Sequence, residues 1–188
     1  MVNSTYLFGN RVTPPRTERE KKEKEKIERL RYISIIGLDL GYFSGTDYIN
    51  DITWFPQWGI RVGTVNFTNS FGWDILRFKG LHAEGKNQGQ DYNYFGSYSF
   101  LTGPRFNAYP FKNKTHAHMY CVLRSGVAMI HSRYYDAESC FSTEIETGVH
   151  FKYFYLGLSA SYFSKDLDYV KLPLFSFHIG FDLAIWKD

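Results

Sequence analysis

The 188-residue chain contains no run of about twenty apolar residues, which rules out a helical membrane span. It has only two cysteines, Cys121 and Cys140, too few for a disulfide-dense scaffold and without the spacing of a metal framework. A single bridge between them and a pair of unlinked thiols both stay open. There is no phosphate loop, nucleophile elbow or zinc pattern, so no cofactor is expected. Basic residues do not alternate with aromatics along one face, which leaves nucleic-acid binding without support. Residues Met1 to Arg11 offer too short an apolar stretch for a secretory signal; if the chain is exported, its signal is expected to lie outside this sequence.

Aromatic rings are abundant: 15 Tyr, 17 Phe and 4 Trp, together 19% of the chain, against a mean hydropathy of −0.35. Many rings without overall greasiness fit aromatic girdles around a thin apolar band. A Tyr-rich soluble β-protein would give the same totals, so the order of residues has to decide.

Arg16 to Arg31 is an almost unbroken charge run after Pro14-Pro15, with only Ile27 and Leu30 to offer an apolar face. Residues 1–31 are therefore expected to form a solvated arm, helical or disordered, which on an envelope reading is periplasmic. Residues 32–188 follow a different grammar.

In the last strand-like stretch, Leu174 to Trp186, one parity carries Phe175, Phe177, Ile179, Phe181, Leu183 and Ile185, and the other Ser176, His178, Gly180, Asp182, Ala184 and Trp186. Side chains of a strand alternate faces, so one face is apolar and the other small and sparsely charged. A soluble barrel normally shows the period with a richly charged outer face. Here the polar row suits a crowded lumen and the greasy row suits lipid.

The pattern recurs. Ile36, Leu38, Leu40 and Tyr42 oppose Gly37, Asp39 and Gly41; Trp58, Ile60 and Val62 oppose Gly59, Arg61 and Gly63. Phe71 to Leu81 is less regular because Ile75 and Leu76 are adjacent, which suggests a bulge. In Tyr92 to Phe106, Tyr94, Tyr98, Phe100 and Phe106 oppose Ser97, Ser99, Leu101, Gly103 and Arg105, and Pro104, lacking a donor, is expected near the strand's end. The remaining segments are His116 to Ile130, Cys140 to Val149 and Tyr153 to Phe163, where Leu156 and Leu158 sit on the apolar parity. Eight strands is the smallest closed membrane barrel. The links are expected to alternate: long at Gly45 to Trp54, Glu84 to Asp91, His131 to Ser139 and Ser164 to Lys171, short at Thr68 to Ser70, Pro110 to Thr115 and His150 to Lys152. The long set would face outside, leaving both termini periplasmic.

The stretch Tyr98-Ser99-Phe100-Leu101-Thr102-Gly103-Pro104-Arg105-Phe106, followed by Pro110-Phe111, resembles the central strand of small bacterial outer-membrane β-barrel proteins of the OmpA transmembrane-domain and OmpX kind, and Phe175 to Ile185 resembles their last strand. The resemblance spans roughly Tyr32 to Trp186. It implies an all-β, eight-stranded antiparallel up-and-down transmembrane barrel in the bacterial outer membrane, with lipid and lipopolysaccharide as surroundings. It also implies assembly by the outer-membrane insertion machinery, which reads a terminal aromatic residue; this chain departs by ending Trp186-Lys187-Asp188.

The polar parity collects Asp39, Arg61, Arg105, Arg124, Glu144, Glu146 and Asp182, near balance in charge and expected to pair across the lumen. A gated ion path is the functional alternative. The apolar parity gives Ile36, Leu38, Leu40, Leu156, Leu158, Phe177, Ile179 and Phe181 as lipid-facing. His116 and His118 have acceptable metal-ligand spacing but no accompanying carboxylate or thiol, so with His150 and His178 they read as polar filling. Ser132 beside His131, or Ser161 with His150, would be the nucleophile and base of a lipid-modifying enzyme, yet neither has an orienting third group, and the His-x-Ser-Asn pattern of lipid A deacylase barrels is missing. The leading expectation is a non-enzymatic outer-membrane barrel with a largely plugged lumen, structural or adhesive, or a small subunit of an envelope assembly, contacting other envelope proteins through Gly45 to Asp51, with Thr46, Asp47 and Tyr48, and Ala83 to Tyr92. The runner-up is a soluble lipocalin-like barrel closed around an apolar ligand.

Overall fold

Alternation of the kind just described cannot bury its two faces in one flat sheet, and the chain resolves it by closing the sheet on itself. In the computed structural model, eight antiparallel strands run in chain order: β1 (Ile33–Thr46), β2 (Phe55–Asn66), β3 (Phe71–Lys86), β4 (Tyr92–Ala108), β5 (Ala117–Ser132), β6 (Tyr135–Phe151), β7 (Phe154–Phe163) and β8 (Val170–Trp186). Each pairs with its sequence neighbours, and β8 returns to β1 through partners such as Leu38 and Phe181, so the barrel has no free first or last strand. The described residues are Glu18, 33–46, 55–68, 70–86, 92–110, 117–132, 135–151, 153–165 and 170–186. Apart from Glu18, the expected arm 1–31 lies outside them, as do His116, the link residues 47–54 and 87–91, and the side chain of Trp186.

The outer face carries the apolar rows. Leu158, Ile179 and Phe181 are 59%, 53% and 43% exposed, whereas Arg61, Arg124 and Glu144 are 1%, 0% and 0% exposed. That inversion rules out the lipocalin-like alternative, which needs the greasy rows turned inward. A closed barrel that is polar inside and apolar outside is a transmembrane barrel.

Three neighbouring strands slip parity at one level. Gly63 has φ +72°, the left-handed region that glycine adopts without Cβ strain. Arg61 and Thr64, three apart, both face inward as a result. On β3 the expected bulge is present: Ile75 and Leu76 both face outward, Asp74 and Arg77 both inward, and the register to β4 shifts between them. The β1 register to β8 shifts between Ser34 and Gly37.

Two local expectations need correction. β4 continues four residues past Pro104 to Ala108, because its pairing with β3 runs on through Trp73 and Pro104 while the β5 register omits Gly103 and Pro104. The link expected over His131 to Ser139 is largely strand, with β5 ending at Ser132 and β6 starting at Tyr135; their ladder continues to the pair Ser132 and Tyr135, satisfying backbone groups that a loop would leave to water. β3 to β6 thus form the long side of the barrel at the end far from the termini.

Candidate functional site: the lumen

The inward residues of eight strands project into a space too narrow for open solvent, so each polar group among them must find partners among the others. The described lumen divides into two zones. Its middle, continuing toward the termini, is ionic. Asp39, Asp74, Glu144, Glu146 and Asp182 supply five carboxylates, and Arg61, Arg77, Lys79, Arg105 and Arg124 supply five cations, all buried.

Arg124 on β5 holds three acids at once: Nε and Nη2 donate to Asp74 Oδ2 at 3.0 and 2.5 Å, and Nη1 donates to Glu144 Oε1 at 2.8 Å and Glu146 Oε2 at 2.5 Å. Arg77 on β3 reaches across to β1 with a forked pair of bonds to Asp39, 2.9 and 3.2 Å, and lies 3.4 Å from Glu144 and 3.6 Å from Glu146. Lys79 Nζ donates to Glu144 Oε2 at 2.7 Å and lies 2.9 Å from Ser161 Oγ. Arg61 donates to Asp182 at 2.7 Å, and its guanidinium stands 4.6 Å from the Tyr155 ring centroid. Arg105 lies 3.6 Å from Asp74 and stacks over Tyr120 at 4.3 Å. Tyr120 donates to Glu146 at 2.7 Å and Tyr155 to Asp39 at 3.1 Å. The ties of Arg124 to Asp74, Arg77 to Asp39, Lys79 to Glu144, Arg61 to Asp182 and Tyr155 to Asp39 link strands that are not neighbours in the sheet, so they brace the cylinder across its width.

The small residues of the inner rows make room for this. A Cβ built on Gly59 would stand 2.6 Å from the Asp39 carboxylate, and one on Gly157 would stand 2.3 Å from the His178 ring. The alternation of glycine with charge is the steric condition for fitting long side chains into a narrow barrel.

The far end of the lumen carries an apolar cluster, with buried Gln57, Ser97 and Ser132 at the same level. Phe43, Phe55, Leu81, Ala83, Phe95, Ala128, Ile130, Phe163 and Leu174 form one buried cluster, with Phe43 5.8 Å from Phe55 and 6.5 Å from Phe95 between ring centroids. Cys140 packs against it, while Cys121 lies on the outward parity of β5, and both thiols are free. A polar lumen is the expectation from the sequence, and this inward apolar cluster is an addition to it.

Of the residues singled out in the sequence, Asp39, Arg61, Arg105, Arg124, Glu144, Glu146 and Asp182 are all inside the barrel. Ile36, Leu40, Leu156, Leu158, Phe177, Ile179 and Phe181 are exposed on its outer face, and Leu38 is half-buried there. Asp74, Arg77 and Lys79 were missed, and all three belong to β3. The Ile75-Leu76 pair breaks strict alternation in that strand; allowing one extra residue at the bulge would have brought all three onto the inner face.

His150 Nε2 lies 2.8 Å from Asp182 and its ring stacks 4.8 Å from His118, while His178 lies 3.2 Å from Glu146. No group of three metal-binding side chains occurs among the described residues. Ser132 is buried inside while His131 projects from the outer parity and stacks on Tyr98, so the strand separates them. Ser161 is engaged by Lys79 and Glu144, and His150 by Asp182, so the structure does not bring Ser161 and His150 together as a nucleophile and base.

No protein-family model matches the sequence, and no curated protein matches it. Among solved structures, Neisserial surface protein A is 11% identical, over 80% of this chain and 94% of that one, with a TM-score of 0.51. Ail, the attachment invasion locus protein of Yersinia pestis, is 18% identical over 80% of this chain and 98% of that one, with a TM-score of 0.43. At these identities the likeness is one of fold, and the Neisserial protein carries it. The chain has the fold of the small eight-stranded bacterial outer-membrane β-barrels.

Proposed function

We propose that this chain is an integral outer-membrane protein whose lumen does not conduct and whose work, structural or adhesive, is done at its far, external end. The observation that carries this reading is the filling of the lumen: five cations and five carboxylates at its middle, and an apolar cluster beyond them. An ion entering would have to break several short, desolvated ion pairs and then cross an oily constriction. With no path through the barrel, interaction falls to its surfaces. The outward apolar rows meet lipid. The far-end links, at 47–54 and 87–91, and the long β3 to β6 side would meet lipopolysaccharide and other envelope or external proteins. On this reading the arm at 1–31 and both termini are periplasmic, the barrel domain is 32–188, and the outer-membrane insertion machinery delivers it.

Reconstitution into planar bilayers tests the lumen. Folded protein, identified by a band that shifts on heating in SDS, should leave the membrane without stepwise conductance. Steady porin-like steps would overturn the closed-lumen reading, and a protein soluble without detergent would overturn the membrane reading. For the surface role, cells displaying a variant with 47–51 and 87–91 replaced by Gly-Ser linkers should lose adherence relative to cells with the intact protein; equal adherence would leave the barrel a purely structural part.

A further inference from the structure

The outer face of a membrane barrel is normally a convex wall of large apolar side chains, and here it is interrupted. Across β5, β6 and β7 three small outward residues, Cys121, Thr147 and Ala160, lie on a diagonal: Cys121 pairs with Thr147, Thr147 with Leu158, and Ile145 with Ala160 in adjoining rows. Ile145, Leu158 and Phe175 project around them. The result is a groove of about 360 Å³, completed by the strand segments at Ser159 and Ser176, whose side chains turn inward. That volume falls within the range of small-molecule sites, about 300–1,000 Å³.

We propose that this groove is a lipid site, which holds one acyl chain of a phospholipid in a defined position on the barrel wall. The inference rests on the membrane reading above, because only there does the outer face meet hydrocarbon. Its chemistry points to an alkyl chain. The one hydroxyl on the diagonal, Thr147 Oγ1, already donates to the Tyr120 carbonyl at 3.2 Å, so the groove asks for no polar partner. An empty concavity would forfeit dispersion contacts with Ile145, Leu158 and Phe175, and a flexible chain restores them by adapting its shape. A second copy of the barrel fits less well. Lipid tails are as apolar as the barrel wall, so no hydrophobic gain drives two such walls together, and an identical rigid surface would need a ridge matched to the groove.

The test uses the full chain in nanodiscs of phosphatidylethanolamine and phosphatidylglycerol, released into the gas phase for native mass spectrometry. The intact protein should retain one phospholipid per barrel. Ala160→Leu, which fills the groove and leaves the Thr147 bond in place, should lose it, and Val127→Leu on the outer face of β5, a residue that does not line the groove, should keep it. Equal retention by the Ala160 variant, no retained lipid in the intact protein, or a retained second barrel would each overturn the proposal. A protein that fails to enter nanodiscs at all fails the membrane reading instead, so the two results are distinguishable. Should Ala160→Leu not fold, as judged by its heat shift in SDS, nuclear Overhauser contacts from acyl methylenes to the Ala160 methyl in the intact protein decide: persistent contacts support the site, and contacts no stronger than those at Val127 overturn it.

Discussion

The middle and the far end of the lumen occupy the same side of the same strands, yet they are held by different physics. In the middle, each long side chain is fixed by partners at set distances: Arg124 by Asp74, Glu144 and Glu146, and Arg77 by Asp39. At the far end Phe43, Phe95, Phe163 and Leu174 have only volume and shape to satisfy. A buried ion pair adds little net stability when intact but is costly to break, because losing one partner strands the other in a medium that cannot solvate it. An apolar cluster behaves in the opposite way, tolerating exchange so long as the space stays filled. The far end is filled by shape; the middle is tied partner to partner across the barrel.

The sharpest way to break this contrast is Arg124→Met. It removes the cation shared by three carboxylates and should cost about 3–5 kcal/mol, measured as a fall in the urea unfolding free energy in detergent micelles or vesicles. Adding Glu146→Gln to the same chain removes one of the stranded charges and should return part of the loss. If the single variant is as stable as the parent, the ionic middle is not a cross-braced network.

Next in size is a comparison of inside with outside. Leu158→Arg places a charge on the outward row and should destabilise by about 2–4 kcal/mol if the position lies near the bilayer midplane. The lumen accepts arginine because Asp74, Glu144 and Glu146 await it; the described cross-strand neighbours of Leu158 on the outer wall, Thr147 and Phe177, offer no carboxylate. An unchanged unfolding midpoint would mean that this face does not meet lipid.

Strict period two was enough to read the strand count, the closed barrel and the inward place of Asp39, Arg61, Arg105, Arg124, Glu144, Glu146 and Asp182. It failed where the backbone itself departs from period two. Asp74 and Arg77 are three residues apart and face the same way, so a reading in twos has to lose one side of the Ile75-Leu76 bulge. The far-end cluster was missed for a different reason. Phe43 continues the inward parity of Gly37, Asp39 and Gly41, and Phe55 that of Gly59 and Arg61, so the direction of both rings was legible; that they gather with Phe95, Phe163 and Leu174 was not. Alternation encodes direction, and the contents of the lumen depend on which rows meet across it, a long-range property of register. Gly63→Ala tests the bulge row directly. A side chain at φ +72° costs about 1–2 kcal/mol, and the new methyl would meet the Ile75 side chain at 2.9 Å. A loss in that range, with the heat shift in SDS retained, places the parity slip in the folded barrel; no loss would mean that β2 relaxes to ordinary strand there.

The smallest effect belongs to Leu174→Met. Leu174 is fully buried in the far-end cluster, next to no charge in that cluster, and methionine has similar volume and a flexible stem. A volume-conserving exchange of this kind should cost less than about 1.5 kcal/mol in the same urea titration. The comparison with Arg124→Met is what gives the small number its use. Both residues are fully buried inside the same cylinder, so burial alone predicts similar losses. If the methionine at 174 costs as much as the methionine at 124, the far end is packed as specifically as the ion network, and shape rather than charge pairing fixes the register of the strands.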